Sequence, residues 1–201
     1  MNNLDKIFSE EKTIQDFSRS YFKYLNSVLG NISLDEIEQF VNVLLSAREN
    51  GGTVYFIGNG GSAATCSHFA NDIAFGTRTH NPPFRIVSLC DNQAVITAIA
   101  NDDGYEKIFS MQLEVLLKSG DVVVAISASG NSTNLLHAVD TAKKIGALTV
   151  GLTSFDGGKL KKSVDLSVHV PTEKGEYGPA EDAHMVLDHL VGSYLLRLVK
   201  V

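Results

Sequence analysis

The 201-residue chain has no tryptophan, four prolines and two cysteines. Cys66 and Cys90 stand apart with no paired spacing, so neither a disulfide framework nor a cysteine metal site is indicated. The prolines form no rich tract; the pair at 82–83 marks a loop, and residues 1–201 read as one domain with no repeat or linker. Positive charge is short: 17 Lys plus Arg face 23 Asp plus Glu, for a net charge of −6. An acidic chain without a basic block lacks the electrostatic footprint of a nucleic-acid binder. No apolar run approaches the ~20 residues of a membrane span. The opening MNNLDKIFSEEKTIQDF is polar and acidic with no apolar core, unlike a signal peptide. The expectation is a soluble protein of a reducing compartment, most simply the cytoplasm, with no nucleic-acid or membrane partner. What is present is a 44% hydrophobic content, enough to bury the core of one domain at this length.

That apolar content is patterned. Phe17, Tyr21, Phe22, Tyr24, Leu25 and Leu29 have helical spacing and predict a helix over about 8–29, ended by Gly30 and Asn31. SLDE follows, with Ser33 as N-cap and Glu36 three residues on, the pattern of a capping box. The second helix runs to about Asn50, where Gly51 and Gly52 stop it. Residues 1–50 are therefore expected to form a helical hairpin.

Beyond it come short β-rich runs at 53–57, 85–89, 121–126, 148–152 and 165–170. Helical patterns separate them at 62–74, 92–100, 106–117, 133–145 and 159–163, and a closing helix spans about 180–199. Apolar strands alternating with helices predict an α/β three-layer sandwich with a five-stranded parallel sheet over 51–201.

Two of the strands end in glycine- and serine-rich loops. The first is GNGGSAATCSHFAND (58–72), whose glycines allow a tight turn and close backbone approach. Ser62 there can cap the next helix. The second is SASGNST (127–133), with Ser127, Ser129, Ser132 and Thr133 around Gly130 at a helix start. Hydroxyls and free backbone N–H groups at a helix N-terminus suit an anion. Ordinary turns with capping serines would look the same. Two such loops, both at the strand ends where open α/β sheets bind ligands, favour a phosphate. Neither loop is a nucleotide-binding fingerprint.

A third feature is polar. His68 and Asp72 are four apart on the helix after the first loop and share a face. In AEDAHMVLDHL (180–190), Glu181 or Asp182 lies about two turns from His189. Two histidines and two carboxylates from two helices suit Zn²⁺ with nitrogen and oxygen donors. The alternative is a pair of buried histidines, each partnered by an acid. Cys66 reads as a small buried hydrophobe.

GNGGS, HFAND, ANDDGYE, SASGNS and GLTSFDGGKL occur in that order along the chain. The set resembles the phosphoheptose isomerase branch of the sugar isomerase (SIS) family, which carries G-N-G-G-S, H-F-A-x-E, A-N-D-x-G, S-T-S-G-N-S and a late D-G-G-K. The resemblance covers nearly the whole chain, the leading helices included. It implies aldose–ketose isomerisation of D-sedoheptulose 7-phosphate to D-glycero-D-manno-heptose 7-phosphate through an enediol, in a homotetramer.

By the same resemblance, one Zn²⁺ sits on His68, Asp72, Glu181 and His189, with Asp72 as base and His189 as acid. The substrate is expected to meet Asn59, Gly60, Gly61, Ser62, Asn101, Asp102 and Glu181, with the phosphate on Ser127, Ala128, Ser129 and Ser132. Two positions depart from the family pattern: Asp72 stands for Glu, and Glu181 stands for Gln. Losing one methylene draws the Asp72 carboxylate back by ~1.5 Å. Some relatives bind a replication initiator instead of turning over sugars, so a phosphosugar sensor or an adaptor is an alternative. An isomerase of another phosphosugar is a second one.

Overall fold

Every residue of β3 (Val122–Ser127) is buried, so this strand must lie between two covered faces. The structure, a computed structural model, describes residues 1–200. Three helices lead: α1 (Asn3–Glu10), α2 (Ile14–Gly30) and α3 (Leu34–Glu49). The sheet segments then alternate with helices: β1 (Thr53–Gly58), α4 (Gly61–Ala74), β2 (Arg85–Ser88), α5 (Gln93–Asp102), α6 (Ser110–Leu116) and β3. They continue as α7 (Thr133–Ile145), β4 (Leu148–Thr153), α8 (Gly158–Ser163), β5 (Leu166–His169) and α9 (Tyr177–Leu198). The expected five-stranded parallel sheet is present, in the order β2-β1-β3-β4-β5.

Strand side chains alternate between faces. Val54, Phe56, Val122, Val124 and Ile126 point to one side, where Phe40 and Leu44 of α3, Phe69 of α4 and Leu187, Val191 and Leu195 of α9 cover them. Tyr55, Ile57, Val123 and Ala125 point to the other, under Leu113 of α6, Leu135 and Val139 of α7, and Leu160 of α8. A parallel sheet with both faces covered explains why its strands read as unbroken apolar runs.

The ends of several elements differ from the sequence expectation. The predicted helix at about 8–29 is two helices. Asn2 and Asp5 form a reciprocal capping box at 2.9 and 3.1 Å, and the Thr13 hydroxyl accepts from Asp16 N–H at 3.2 Å. Two start signals therefore outrank one apolar period. The Ser33 hydroxyl does accept from Glu36 N–H, but the Glu36 carboxylate accepts from His169 N–H at 2.8 Å, tying α3 to the end of β5. The predicted helix 106–117 is a turn of 3-10 helix at Tyr105–Lys107 followed by α6. The closing helix starts earlier, at Tyr177, with Pro179 in its first turn, where no amide bond is lost.

His184 of α9 is fully buried, and neither ring nitrogen has a partner within hydrogen-bond geometry among the described residues. Burial pushes its pKa down from 6.5 to about 4, the Thr153 backbone opposing only in part. The ring is thus neutral when folded and takes a proton more readily when unfolded. Stability from this residue is complete above pH 6.5 and lost as pH falls through about 4. The full loss corresponds to about 3 kcal/mol. The urea midpoint should drop between pH 7 and pH 4.5 more steeply in the wild type than in His184→Leu; equal slopes would refute the assignment.

Candidate functional site

β1 and β3 are neighbours with Gly58 opposite Ile126, while β2 lies beyond β1 at the sheet edge. The chain order reverses between β1 and β3, the position at which open α/β sheets form a ligand crevice beyond their C-terminal strand ends. Both glycine-serine loops emerge there. A Cβ on Gly58 would lie 2.8 Å from the Ser62 backbone, so the first loop turns straight back on itself. Gly60 takes the N-cap place of α4 at φ 54° and ψ −123°, a conformation that favours glycine. The helix then opens at Gly61, and Ser62 lies buried in its first turn instead of capping it.

Asn59 links three segments. Its side-chain amide exchanges two hydrogen bonds with that of Asn134, at 3.0 and 2.8 Å, and its oxygen also accepts from the Tyr105 hydroxyl at 2.9 Å. Asn59, Tyr105, Glu106, Ser132, Thr133 and Asn134 line a cavity of about 510 Å³. Asn59 thus reaches the cavity while its side chain is engaged in holding the cavity walls together.

The second loop is braced from within and from outside. The Ser127 hydroxyl accepts from Gly130 N–H at 3.1 Å, and the Ser129 hydroxyl from Asn131 N–H at 3.4 Å. Ala128 is buried between them. Ser132 occupies the N-cap of α7 but makes no side-chain cap bond, which leaves its hydroxyl and the positive end of a 13-residue helix facing the cavity. The later DGGK segment supports this loop: Leu160 N–H donates to Gly130 O at 2.8 Å, and Lys159 N–H to the Asn131 side chain at 3.2 Å.

The polar cluster lies between α4 and α9. His68 Nδ1 is 2.6 Å from Asp188 Oδ2 and 3.6 Å from Asp72 Oδ2. The rings of His68 and His189 meet edge to face at a centroid distance of 5.0 Å. One possible donor atom from each of His68, Asp72, Asp188 and His189 lies within 4.8 Å of all the others. The structure brings His68, Asp72 and His189 together as expected, with Asp188 as the fourth member in place of Glu181.

Glu181 is elsewhere because the two helices run side by side in one direction. A Cβ on Gly61 would meet the Glu181 carboxylate at 2.2 Å, and one on Gly192 would meet Asp72 Cβ at 3.6 Å. Gly61 therefore pairs with Glu181, His68 with Asp188, and Asp72 with Gly192. Seven helical residues separate the first two levels, about 10 Å along the axis. Glu181 sits at the glycine loop, one level above the cluster.

Electrostatics separates these acids. Burial pushes the Asp188 carboxyl up to about 6, the bond to His68 opposing and Asp72 adding to the rise. Burial, then Asp182, raises the carboxyl of Glu181. Asp188 is fully buried, and its Oδ1 has no hydrogen-bond partner among the described residues. Two histidines and two carboxylates gathered within 4.8 Å of one another are a nitrogen and oxygen set that fits a divalent cation. The His/Asp cluster is a possible metal site.

Asn101 and Asp102 form the exposed last turn of α5, where the Asn101 amide donates to Asp102 at 2.7 Å. Neither lines the cavity. Cys66 is buried against Gly58 and lies outside the cluster. Sequence reasoning missed Tyr105 and Asn134 and did not count Asp188 among the metal donors. Tyr105 belongs to the ANDDGYE motif and Asn134 follows the serine loop directly, so both carried a signal. Asp188 carried none beyond its place next to His189.

The SIS-domain family profile matches residues 20–154. Phosphoheptose isomerase of Geobacter metallireducens is 39% identical over 173 residues, covering 86% of this chain and 90% of its own. A solved phosphoheptose isomerase from Francisella tularensis superposes with a TM-score of 0.83 at 26% identity, over 92% of this chain and all of its own. Another, from Neisseria gonorrhoeae, superposes with a TM-score of 0.81 at 29% identity, over 91% of this chain and 98% of its own.

Proposed function

Because this chain belongs to the SIS-domain family, and within it to the phosphoheptose isomerases, we propose that it isomerises D-sedoheptulose 7-phosphate to D-glycero-D-manno-heptose 7-phosphate. The observation that carries the reading is the convergence at one crevice. The serine loop and α7 N-terminus meet the glycine loop there, and Glu181 leads from that loop to the His68–Asp72–His189 cluster. Phosphate, sugar and proton transfer each have a place along that path.

Ser127, Ala128, Ser129 and Ser132 hold the phosphate, which needs hydroxyls, backbone N–H groups and a helix N-terminus. The glycine loop, Gly60 to Ser62, lets the sugar backbone approach closely, and Glu181 offers its carboxylate to the hydroxyls. Isomerisation moves one proton between adjacent carbons and one between their oxygens. Asp72 takes the carbon-bound proton to leave the enediol and returns it to the neighbouring carbon. His189 exchanges the oxygen-bound proton. His68, Asp72 and His189 are the residues to hold a zinc ion, which when bound supplies Lewis-acid polarisation of the sugar carbonyl.

A homotetramer fits the surface of α9. Val186, Leu190, Tyr194 and Leu198 are spaced four apart and 37%, 46%, 53% and 43% exposed, an apolar stripe beside the cluster. No helix among the described residues is long and apolar enough to cross a membrane, in keeping with a cytoplasmic enzyme.

The deciding experiment is turnover of sedoheptulose 7-phosphate by the purified protein, with and without a chelator. Activity that falls on chelation and returns with zinc is the expected result. Binding of the phosphosugar without turnover of any heptose or hexose phosphate would instead support the non-catalytic alternative.

A further inference from the structure

Asp188 is an acid of the cluster to which the family resemblance gives no role. Its side chain is fully buried on α9, one oxygen lies 2.6 Å from His68 Nδ1, and the other has no partner among the described residues. At 2.6 Å a single proton lies between that nitrogen and oxygen. Asp72, 3.6 Å from the same nitrogen, is beyond hydrogen-bond range and does not compete for the proton.

A carboxylate without a proton can only accept, so the neutral imidazole that satisfies it carries its hydrogen on Nδ1 and its lone pair on Nε2. Two donors of one tetrahedral zinc, each ~2.0–2.1 Å from it, stand about 3.3 Å apart. The 2.6 Å contact is too short for His68 Nδ1 and Asp188 Oδ2 to share an ion. It is the length of a carboxylate orienting a histidine whose other nitrogen binds the metal.

We propose that Asp188 is a positioning residue: it holds the His68 proton on Nδ1 and thereby presents Nε2 to the metal. The proposal rests on the metal-dependent reading above. It leaves His68, Asp72 and His189 as the protein donors, with an open position of the kind catalytic zinc sites keep.

The test has two readouts on the intact 201-residue chain. Long-range proton–nitrogen NMR correlation on metal-free, histidine-labelled protein reports which ring nitrogen of His68 carries the hydrogen. Competition with a chromophoric chelator reports zinc affinity. In the wild type the hydrogen should be on Nδ1. Asp188→Leu should move it to Nε2 and weaken zinc binding about 10–100-fold. Asp188→Asn, which keeps an accepting oxygen and nearly the same shape, should retain the Nδ1 hydrogen and most of the affinity. An Nε2 hydrogen in the wild type overturns the proposal. So does an asparagine variant as weak for zinc as the leucine one, which would make the carboxylate a direct donor. A wild type that binds no zinc removes the metal reading, while the tautomer comparison still decides whether Asp188 holds His68.

Discussion

Replacing Asp72 by asparagine should lower kcat for sedoheptulose 7-phosphate by about 10²–10⁴-fold, the usual worth of a general base. KM should change little, because the phosphate anchors lie on the serine loop and not on α4. The substitution tests chemistry more than folding. The Asp72 side chain is 28% exposed, and its one hydrogen bond among the described residues comes from the neighbouring Asn71 amide at 2.9 Å. Asparagine keeps the shape and can still receive that bond, so the thermal midpoint should stay near the wild-type value. A variant retaining more than about a tenth of kcat, against the usual general-base effect, would remove Asp72 as the base. Glu181 would be next in line, since it lies at the glycine loop with a carboxyl raised by burial.

The strands and the fold class were readable from the sequence because a parallel sheet covered on both faces demands continuous apolar runs. Val122 to Ile126 can hardly be read otherwise. The His68–Asp72 pair was readable too, since both residues sit on one helix and the α-helical period places them. The fourth member of the cluster was not readable in this way. Choosing between Glu181 and Asp188 requires the axial alignment of α4 with α9. That alignment is set by packing between helices, through the close approach at Gly61 and Gly192. Asn101 and Asp102 lie on α5 for a local reason. Gly104, at φ 105°, breaks the helix after Asp103, so α5 runs two residues past the expected end at 100.

Gly130→Ala should be the most damaging conservative change in the chain. Gly130 has φ +61°, and a Cβ there would stand 2.0 Å from Gly157 O and 3.2 Å from Gly158 N. Both are backbone atoms, so no side chain can swing aside. Nor can the opposing segment retreat freely. Gly157 and Gly158 are themselves at φ +78° and +55°, and Leu160 N–H is tied to Gly130 O at 2.8 Å. Backbone strain and overpacking together cost about 3–5 kcal/mol, a large share of the ~5–15 kcal/mol that holds a typical domain. Gly51→Ala is the control: it shares the positive φ, +68°, but nothing lies within 4 Å of its added carbon. It should cost only the strain of about 1–2 kcal/mol. Urea unfolding of the two variants therefore separates steric contact from backbone conformation. Equal costs would mean that the DGGK segment yields to the serine loop. Unequal costs, with phosphosugar binding lost in Gly130→Ala at urea concentrations where the sheet is still intact, would show that this contact sets the shape of the phosphate cradle.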